Sequence, residues 1–78
     1  MKKYEPVKST RKNKKYMILT DSGLVHFGDN RYSQFKDKIG LYSHLDNNDK
    51  KRKELYYKRH GKSAKKDTAK YFSHKYLW

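Results

Sequence analysis

The scarcity of aliphatic side chains is the feature that most restricts how this chain can fold. Its 78 residues include six Leu, two Ile and two Val, against eight Tyr. A chain of this length forms one domain and buries only about 60% of the surface that its unfolded form exposes. Tyrosine is therefore expected to supply much of the core volume, with its hydroxyl groups near the surface. We expect marginal stability in isolation, with a bound partner adding to it.

Charge is the second restriction. The chain carries 21 Lys and Arg residues against eight Asp and Glu, which gives a formal net charge of +13. A net charge of about 2–8 is enough to keep a small domain soluble, so this excess calls for another explanation. Cations neutralise phosphates, and phenol rings placed among them can stack on bases. The composition therefore predicts a protein that contacts a polyanion.

Several classes of site are not expected. The chain has no cysteine, which excludes disulfides and thiolate metal sites. No apolar run approaches the roughly 20 residues that span a bilayer, and no signal-peptide core follows the basic start, so neither membrane insertion nor export is expected. No glycine-rich phosphate loop or Ser/His/Asp set is present. We expect no cofactor and no small-molecule substrate.

The cations fall into two blocks. Residues 1–15 carry seven Lys and Arg, one Glu and the only proline, without apolar periodicity, and are predicted to form a flexible basic arm. Residues 16–78 are predicted to form a single small α+β domain. The second block, Lys50 to Lys66, holds nine cations and the single carboxylate Glu54.

A β-hairpin is predicted at the start of the domain. Two short apolar runs, Tyr16–Leu19 and Leu24–Phe27, are separated by Thr20–Gly23, whose Asp and Gly residues favour a turn. The segment from Arg31 to Gly40 is interpreted as either a helical turn or an ordered loop.

The basic block contains the clearest helix signal. Asp46, Asn47 or Asn48 is a candidate N-cap, the helix is predicted to run to about His60, and Gly61 is suited to end it.

A second, shorter helix is predicted after Asp67 or Thr68. The aromatic residue that follows it, Trp78, is expected to pack back onto the hairpin or a helix. The predicted fold class is α+β: a small hairpin packed with one or two helices, preceded by the basic N-terminal arm.

Candidate phosphate contacts come from both basic blocks. One aromatic residue, Tyr57, is the best candidate for stacking on a base, because it is predicted to point away from the Leu55 and Tyr56 face of the helix. No helix-turn-helix, zinc-finger or RNA-recognition motif is present, so binding is expected to be largely independent of sequence. The candidate cations are Lys12, Lys14, Lys15, Lys50, Lys51, Lys53, Lys58, Lys62, Lys65 and Lys66.

Two further groups of residues have competing interpretations. Arg59 and His60 at the helix end either clamp an anion, or Arg59 pairs with Asp46 or Asp49 while His60 bonds a terminal carbonyl. The four histidines lack paired metal-ligand spacing. His44 and His60 only faintly resemble the arrangement in ββα-metal nucleases, so we expect neither a metal site nor an enzyme.

Five strings along the chain carry a further signal: Val25–Gly28, Tyr42–Asp46, Lys50–Arg52, Tyr57–Gly61 and Tyr71–Trp78. In order and spacing they resemble a family of short basic proteins encoded by giant and other large DNA viruses. The likeness runs from about Tyr16 to Trp78 and leaves the arm outside it. No activity is assigned to that family. The resemblance therefore implies a viral origin and a virion-associated role, and it transfers no catalytic residues.

Two functions fit these patterns. The first is non-enzymatic binding of viral nucleic acid, DNA rather than RNA, which neutralises its charge for packaging. The second is a minor capsid or cement protein whose cations dock on acidic coat-protein surfaces. Both imply a location in the virion, and in the host cytoplasm or viral factory during infection.

Overall fold

Three antiparallel strands form a sheet in the order β1–β2–β3. The computed structural model describes all residues, Met1–Trp78, and places β1 at Val7–Lys8, β2 at Lys14–Thr20 and β3 at Gly23–Asp29. The predicted hairpin is confirmed as β2 and β3, in a register that pairs Tyr16 with Phe27 and Ile18 with Val25. Alternate β2 residues from Tyr16 to Thr20 are fully buried, as expected of a strand with one face toward the core.

The segment predicted as a flexible arm is ordered and forms part of the sheet. Val7 pairs with Met17, and the Tyr4 amide donates to the Leu19 carbonyl at 2.8 Å. Lys14 and Lys15, placed in the arm by the sequence interpretation, are the first residues of β2. Strand β1 has only two residues, so its apolar alternation is too short to stand out from the surrounding charge.

Two helices follow the sheet: α1 at Lys50–His60 and α2 at Ala69–Tyr76. The N-cap of α1 is Asp49, one residue beyond the three candidates, and its carboxylate accepts from the Lys51 and Arg52 amides. Thr68 caps α2, and Gly61 ends α1 as predicted. Neither helix has the length and apolar content needed to cross a bilayer.

The core is small and mostly aromatic. The fully buried hydrophobic residues are Tyr16, Ile18, Phe27, Phe72 and Leu77, so α2 packs against the hairpin. The Phe27 ring lies 5.7 Å from the Phe72 ring and 5.8 Å from the Tyr16 ring. Phenylalanine thus supplies part of the core volume that was expected from tyrosine. The Tyr16 hydroxyl lies inside the protein and not near the surface as expected.

Buried polar groups organise the segment between β3 and α1, which is an ordered loop with one 3₁₀ turn at Ser43–Leu45. The Tyr16 hydroxyl donates to Asp37 Oδ2, which also accepts from the Tyr42 amide at 2.8 Å. Asp46 Oδ1 accepts from the Asp37 amide at 2.7 Å and from the Gln34 side chain at 2.6 Å. These bonds explain why Asp46 does not cap α1, because its carboxylate is already engaged.

The carboxylate of Asp37 stays ionised in this environment. Burial alone would raise its pKa, but the hydrogen bonds from Tyr16 and from backbone amides lower the pKa below its ordinary value of 3.8. The Tyr16 hydroxyl shows the reverse effect, since burial and the adjacent Asp37 carboxylate raise its pKa. The proton therefore stays on Tyr16 and the charge on Asp37.

Tyr16→Phe is expected to lower the free energy of unfolding by about 1.5–3 kcal/mol, the range for a hydrogen bond to a charged group. The change also removes the acceptor of the Leu41 amide, which lies 3.1 Å from the Tyr16 hydroxyl. The measurement is urea unfolding followed by circular dichroism. The matched control is Tyr71→Phe, because the Tyr71 hydroxyl makes no hydrogen bond; equal losses in the two variants would contradict the assignment.

Gly28 allows the end of α2 to approach β3 closely. Its φ is +76°, and a Cβ built there would lie 2.8 Å from Leu77 Cδ1 and 3.2 Å from Lys15 Cβ. Gly61 has the same φ of +76°, but a Cβ there would meet nothing within 4 Å. The two glycines therefore share a positive φ, whereas only Gly28 lacks space for a Cβ.

Gly28→Ala is expected to destabilise the fold by about 1–3 kcal/mol more than Gly61→Ala, because only the first change adds a core clash to the shared strain of positive φ. Thermal or urea unfolding of the two variants measures the difference directly. A smaller loss for Gly28→Ala than for Gly61→Ala would show that the contact of Leu77 with Gly28 is not tight.

Candidate nucleic-acid interface

Most of the positive charge has no ionic partner within the chain. Ion pairs at the surface contribute only about 0–1 kcal/mol each, so those present do not account for the charge excess. The exposed cations outside these pairs are free to contact an external polyanion. Only three ion pairs form: Lys3–Asp21 at 2.9 Å, Arg31–Asp29 at 2.7 Å and Arg52–Asp49 at 3.7 Å.

Helix α1 carries the densest group of free cations. Lys50, Lys51 and Lys58 are exposed, and none of the residues of the helix is fully buried. Its only carboxylate, Glu54, makes no ion pair. A helix of this composition has little apolar surface with which to bind the rest of the domain, so its few docking contacts determine where the cations lie.

Aromatic side chains dock α1 against α2 and the residues after it. The Tyr56 and Trp78 rings are stacked, with centroids 4.4 Å apart and planes 5° apart, which confirms that Trp78 packs back onto a helix. The Tyr56 hydroxyl bonds His74 Nδ1 at 2.9 Å. Burial raises the pKa of Tyr56 to about 12, so this hydroxyl remains protonated. At the other side of α1, the Lys53 ammonium lies 4.5 Å from the Phe35 ring centre.

An open cleft of about 860 Å³ lies beside this docking contact. Three elements enclose it: α1, α2, and the end of the β2–β3 hairpin with the residues that follow. Phe27 and Leu77 lie at its base but are fully buried, whereas the partly exposed Trp78 and Leu55, which is 49% exposed, give it accessible apolar surface. The cleft is therefore a concave and partly apolar surface within a strongly basic protein.

Four accessible cations line the same cleft, Lys14, Arg52, Arg59 and Lys70, and the buried Lys15 also borders it. The one carboxylate among the lining residues is Asp29. Arg31 binds both oxygens of Asp29, at 3.0 Å and 2.7 Å, and these bonds lower the pKa of Asp29 to about 2. Because Arg31 offsets this negative charge, the cleft is positive overall.

A second, smaller depression of about 330 Å³ collects four of the predicted residues, Lys53, Tyr57, Lys58 and Lys62, together with Glu54. Tyr57 is only half-exposed, however, because its ring lies 4.8 Å from the His74 ring. Burial raises its pKa. Tyr57 thus helps to dock α1, which reduces the surface it offers to a base.

Lys15 is not part of the surface, which corrects the prediction for this residue. It is 2% exposed, and its ammonium donates to the Tyr32 carbonyl at 3.0 Å and to the side-chain oxygen of Gln34. Burial lowers the pKa of the Lys15 amine, while the Asp37 carboxylate and two others oppose the effect. An ammonium enclosed in this way cannot reach a phosphate.

The remaining predicted cations lie in loops outside the cleft. Lys12 is exposed in the turn before β2, and Lys65 and Lys66 are exposed in the connection between α1 and α2. They add to the positive field without joining the cleft residues.

Sequence reasoning missed the contribution of Arg59, Lys70 and Trp78 to a shared cleft. Arg59 forms no ion pair with Asp46 or Asp49; it is Arg52 that pairs with Asp49. The available signal was the spacing of Arg52, Leu55 and Arg59, which puts them along one side of α1. Nothing local showed that α2 and Trp78 would face that side.

The histidines do not converge. The chain contains no group of three or more His, Cys, Asp or Glu residues that could hold a metal ion. His44 is exposed in the 3₁₀ turn, and the His60 ring packs 4.7 Å from the Tyr56 ring. His60 therefore contributes to α1 docking.

No protein-family model, curated protein or solved structure matches this chain. The arrangement of its charged and aromatic side chains is therefore the basis for assigning a function.

His74 is expected to make the docking of α1 sensitive to pH. Burial lowers its pKa below the ordinary 6.5, and the charges of Lys70 and His60 act in the same direction, against the bond to the Gly61 carbonyl. The free energy of unfolding should therefore be highest above pH 6.5. It should decrease as the pH drops through the lower pKa that His74 has in the folded protein. Urea unfolding measured at several pH values between about 7.5 and 5 tests this expectation.

His74→Gln should flatten part of this pH dependence, because it removes the titrating ring between the two helices. The control is His44→Gln, since His44 is exposed and makes no hydrogen bond. Identical pH profiles for the two variants would rule out the coupling. Part of the slope is expected to persist in both, because burial also lowers the pKa of His26.

Proposed function

We propose that this protein binds nucleic acid through the free cations of α1 and the adjoining cleft, neutralising phosphates without strong sequence preference. The observation that carries the proposal is that only three of the 21 Lys and Arg residues form ion pairs. A surface that served solubility alone would not need so large an excess of one sign.

The arrangement of the cations also supports this proposal. Helix α1 carries the densest group of free cations, and the cleft beside that helix combines cations with aromatic and aliphatic side chains. Proteins that bind single-stranded nucleic acid without sequence preference combine a positive groove with rings on which bases stack. Phosphate contacts of this kind position a protein on the strand and carry no sequence information.

The setting we propose is a virus particle, where the protein would neutralise a packaged DNA genome. This part of the proposal rests on the resemblance of the sequence to the viral family. The proposed role is non-enzymatic, because the cations described above would act by binding phosphates and neutralising their charge.

Binding to DNA of mixed sequence is expected to weaken steeply with salt. If about six cations contact phosphates, the logarithm of the binding constant should fall with the logarithm of salt concentration with a slope near −5. Fluorescence anisotropy of a labelled oligonucleotide between low and moderate salt measures this slope. Strong dependence on base sequence at constant length would contradict the proposal.

Charge-reversal variants test whether the interface lies on α1. Lys51→Glu with Lys58→Glu should make the salt slope shallower by about two units or more, since two phosphate contacts are lost. The matched control is Lys2→Glu with Lys8→Glu, which changes the net charge equally at exposed residues outside α1. Equal weakening by both pairs would show that net charge, and not the surface of α1, determines binding.

The capsid-docking function predicts different results. A cement protein should remain on purified shells emptied of nucleic acid, whereas a packaging protein should leave with the genome. Failure to bind any oligonucleotide at low salt, combined with retention on emptied shells, would replace the proposed function with the docking function.

A further inference from the structure

We infer that the cleft between α1, α2 and the β2–β3 hairpin holds one unpaired nucleotide, with its base against the apolar lining and its flanking phosphates on the surrounding cations. The inference rests on the proposed function and adds a substrate class, because it implies a preference for single strands over duplexes.

The size and lining of the cleft suit a flat apolar group. Its volume of about 860 Å³ lies within the range of roughly 300–1,000 Å³ typical of sites that enclose small ligands. Phe27 and Leu77 lie beneath it, while the partly exposed Trp78 and the half-exposed Leu55 stand at its sides. The apolar surface that an occupant would cover is therefore that of Trp78 and Leu55.

Charge decides the chemistry of that occupant. Four cations, Lys14, Arg52, Arg59 and Lys70, come from three different elements and line the same cleft, and none of them except Arg52 is in an ion pair. Arg52 contacts Asp49 through Nε at 3.7 Å, which leaves its terminal nitrogens free of that contact. An occupant must therefore combine a flat apolar body with negative charge on more than one side. A nucleotide within a strand has both.

A paired base does not meet this requirement. Within a duplex each base is stacked and hydrogen-bonded, so it must leave the helix before it can enter a pocket. A single strand offers unstacked bases that rest on aromatic side chains. The cleft therefore favours single strands, whereas the exposed outer surface of α1 contacts the phosphates of either form.

The single tryptophan makes the test direct, because Trp78 lines the cleft and no other tryptophan contributes to the fluorescence. The probe is an oligo-deoxythymidine strand of about twelve nucleotides, a length within the usual site sizes of single-strand binders. The two comparison ligands are its duplex with the complementary strand and an abasic strand of the same length. The abasic strand keeps the single-stranded phosphates and lacks the bases.

The intact single strand is expected to quench Trp78 and to bind about tenfold more tightly than the abasic strand, as stacking of a base predicts. The duplex is expected to bind without quenching. Equal binding of all three ligands without quenching would overturn the inference and leave the proposed function standing. Absence of binding to all three at low salt would overturn both.

A matched pair of variants separates the cleft from the outer surface. Arg59→Gln removes a cation from the cleft, whereas Lys58→Gln removes the neighbouring cation from outside it. Arg59→Gln should reduce the ratio of single-strand to duplex affinity severalfold, and Lys58→Gln should weaken both forms alike and preserve the ratio. If both variants preserve the ratio, the cleft does not select single strands.

An acidic peptide containing an aromatic residue is the competing occupant. Quenching of Trp78 by such a peptide, with no quenching by oligo-deoxythymidine, would overturn the assignment of a nucleotide. Quenching by the strand alone supports it.

Discussion

The fold depends on a buried polar network that joins β2 to the segment between β3 and α1. The Lys15 ammonium binds Gln34, the Gln34 side chain binds Asp46, and the Tyr16 hydroxyl binds Asp37. A core with five fully buried hydrophobic residues leaves little apolar surface to hold this long segment. Hydrogen bonds to charged groups are about twice as strong as neutral ones, and each buried donor left without a partner costs about 1–3 kcal/mol. The network thus supplies the specific order that a larger apolar core would otherwise provide.

The same network positions the cleft. It holds the segment that leads to Asp49, where α1 begins, and backbone bonds from Lys36 to Leu77 and from Lys38 to Tyr76 tie that segment to the end of α2. The hairpin end, α1 and α2 therefore meet around one cleft. Exposed cations on separate elements, which would repel one another in an open chain, are brought around one apolar surface. An anion that binds between these cations reduces their electrostatic repulsion.

Local patterns made part of this arrangement predictable. The hairpin, the glycine that ends α1 and a cap at Asp67 or Thr68 all follow from signals within a few residues. Two features depend on tertiary contacts and escaped prediction. Lys14 and Lys15 are adjacent and identical in type, and both border the cleft, yet Lys14 is partly exposed and Lys15 is buried beside Gln34. One of the two interpretations of Arg59 paired it with Asp46 or Asp49, but Asp46 accepts from Gln34 and the Asp37 amide, and Asp49 pairs with Arg52. Which cations are free depends on these long-range bonds, which no local pattern contains.

Helix α1 forms one wall of the cleft without burying a single residue completely. Elements with so few buried contacts open at much lower free energy than the body of a domain. Helix α1 can therefore move away from the cleft while the sheet and α2 stay intact, and this movement separates the Tyr56 and Trp78 rings. A pocket with one movable side accommodates bases of different size at similar energy. Tolerance of varied sequences would then come from compliance of the protein and not only from the uniformity of the phosphate backbone.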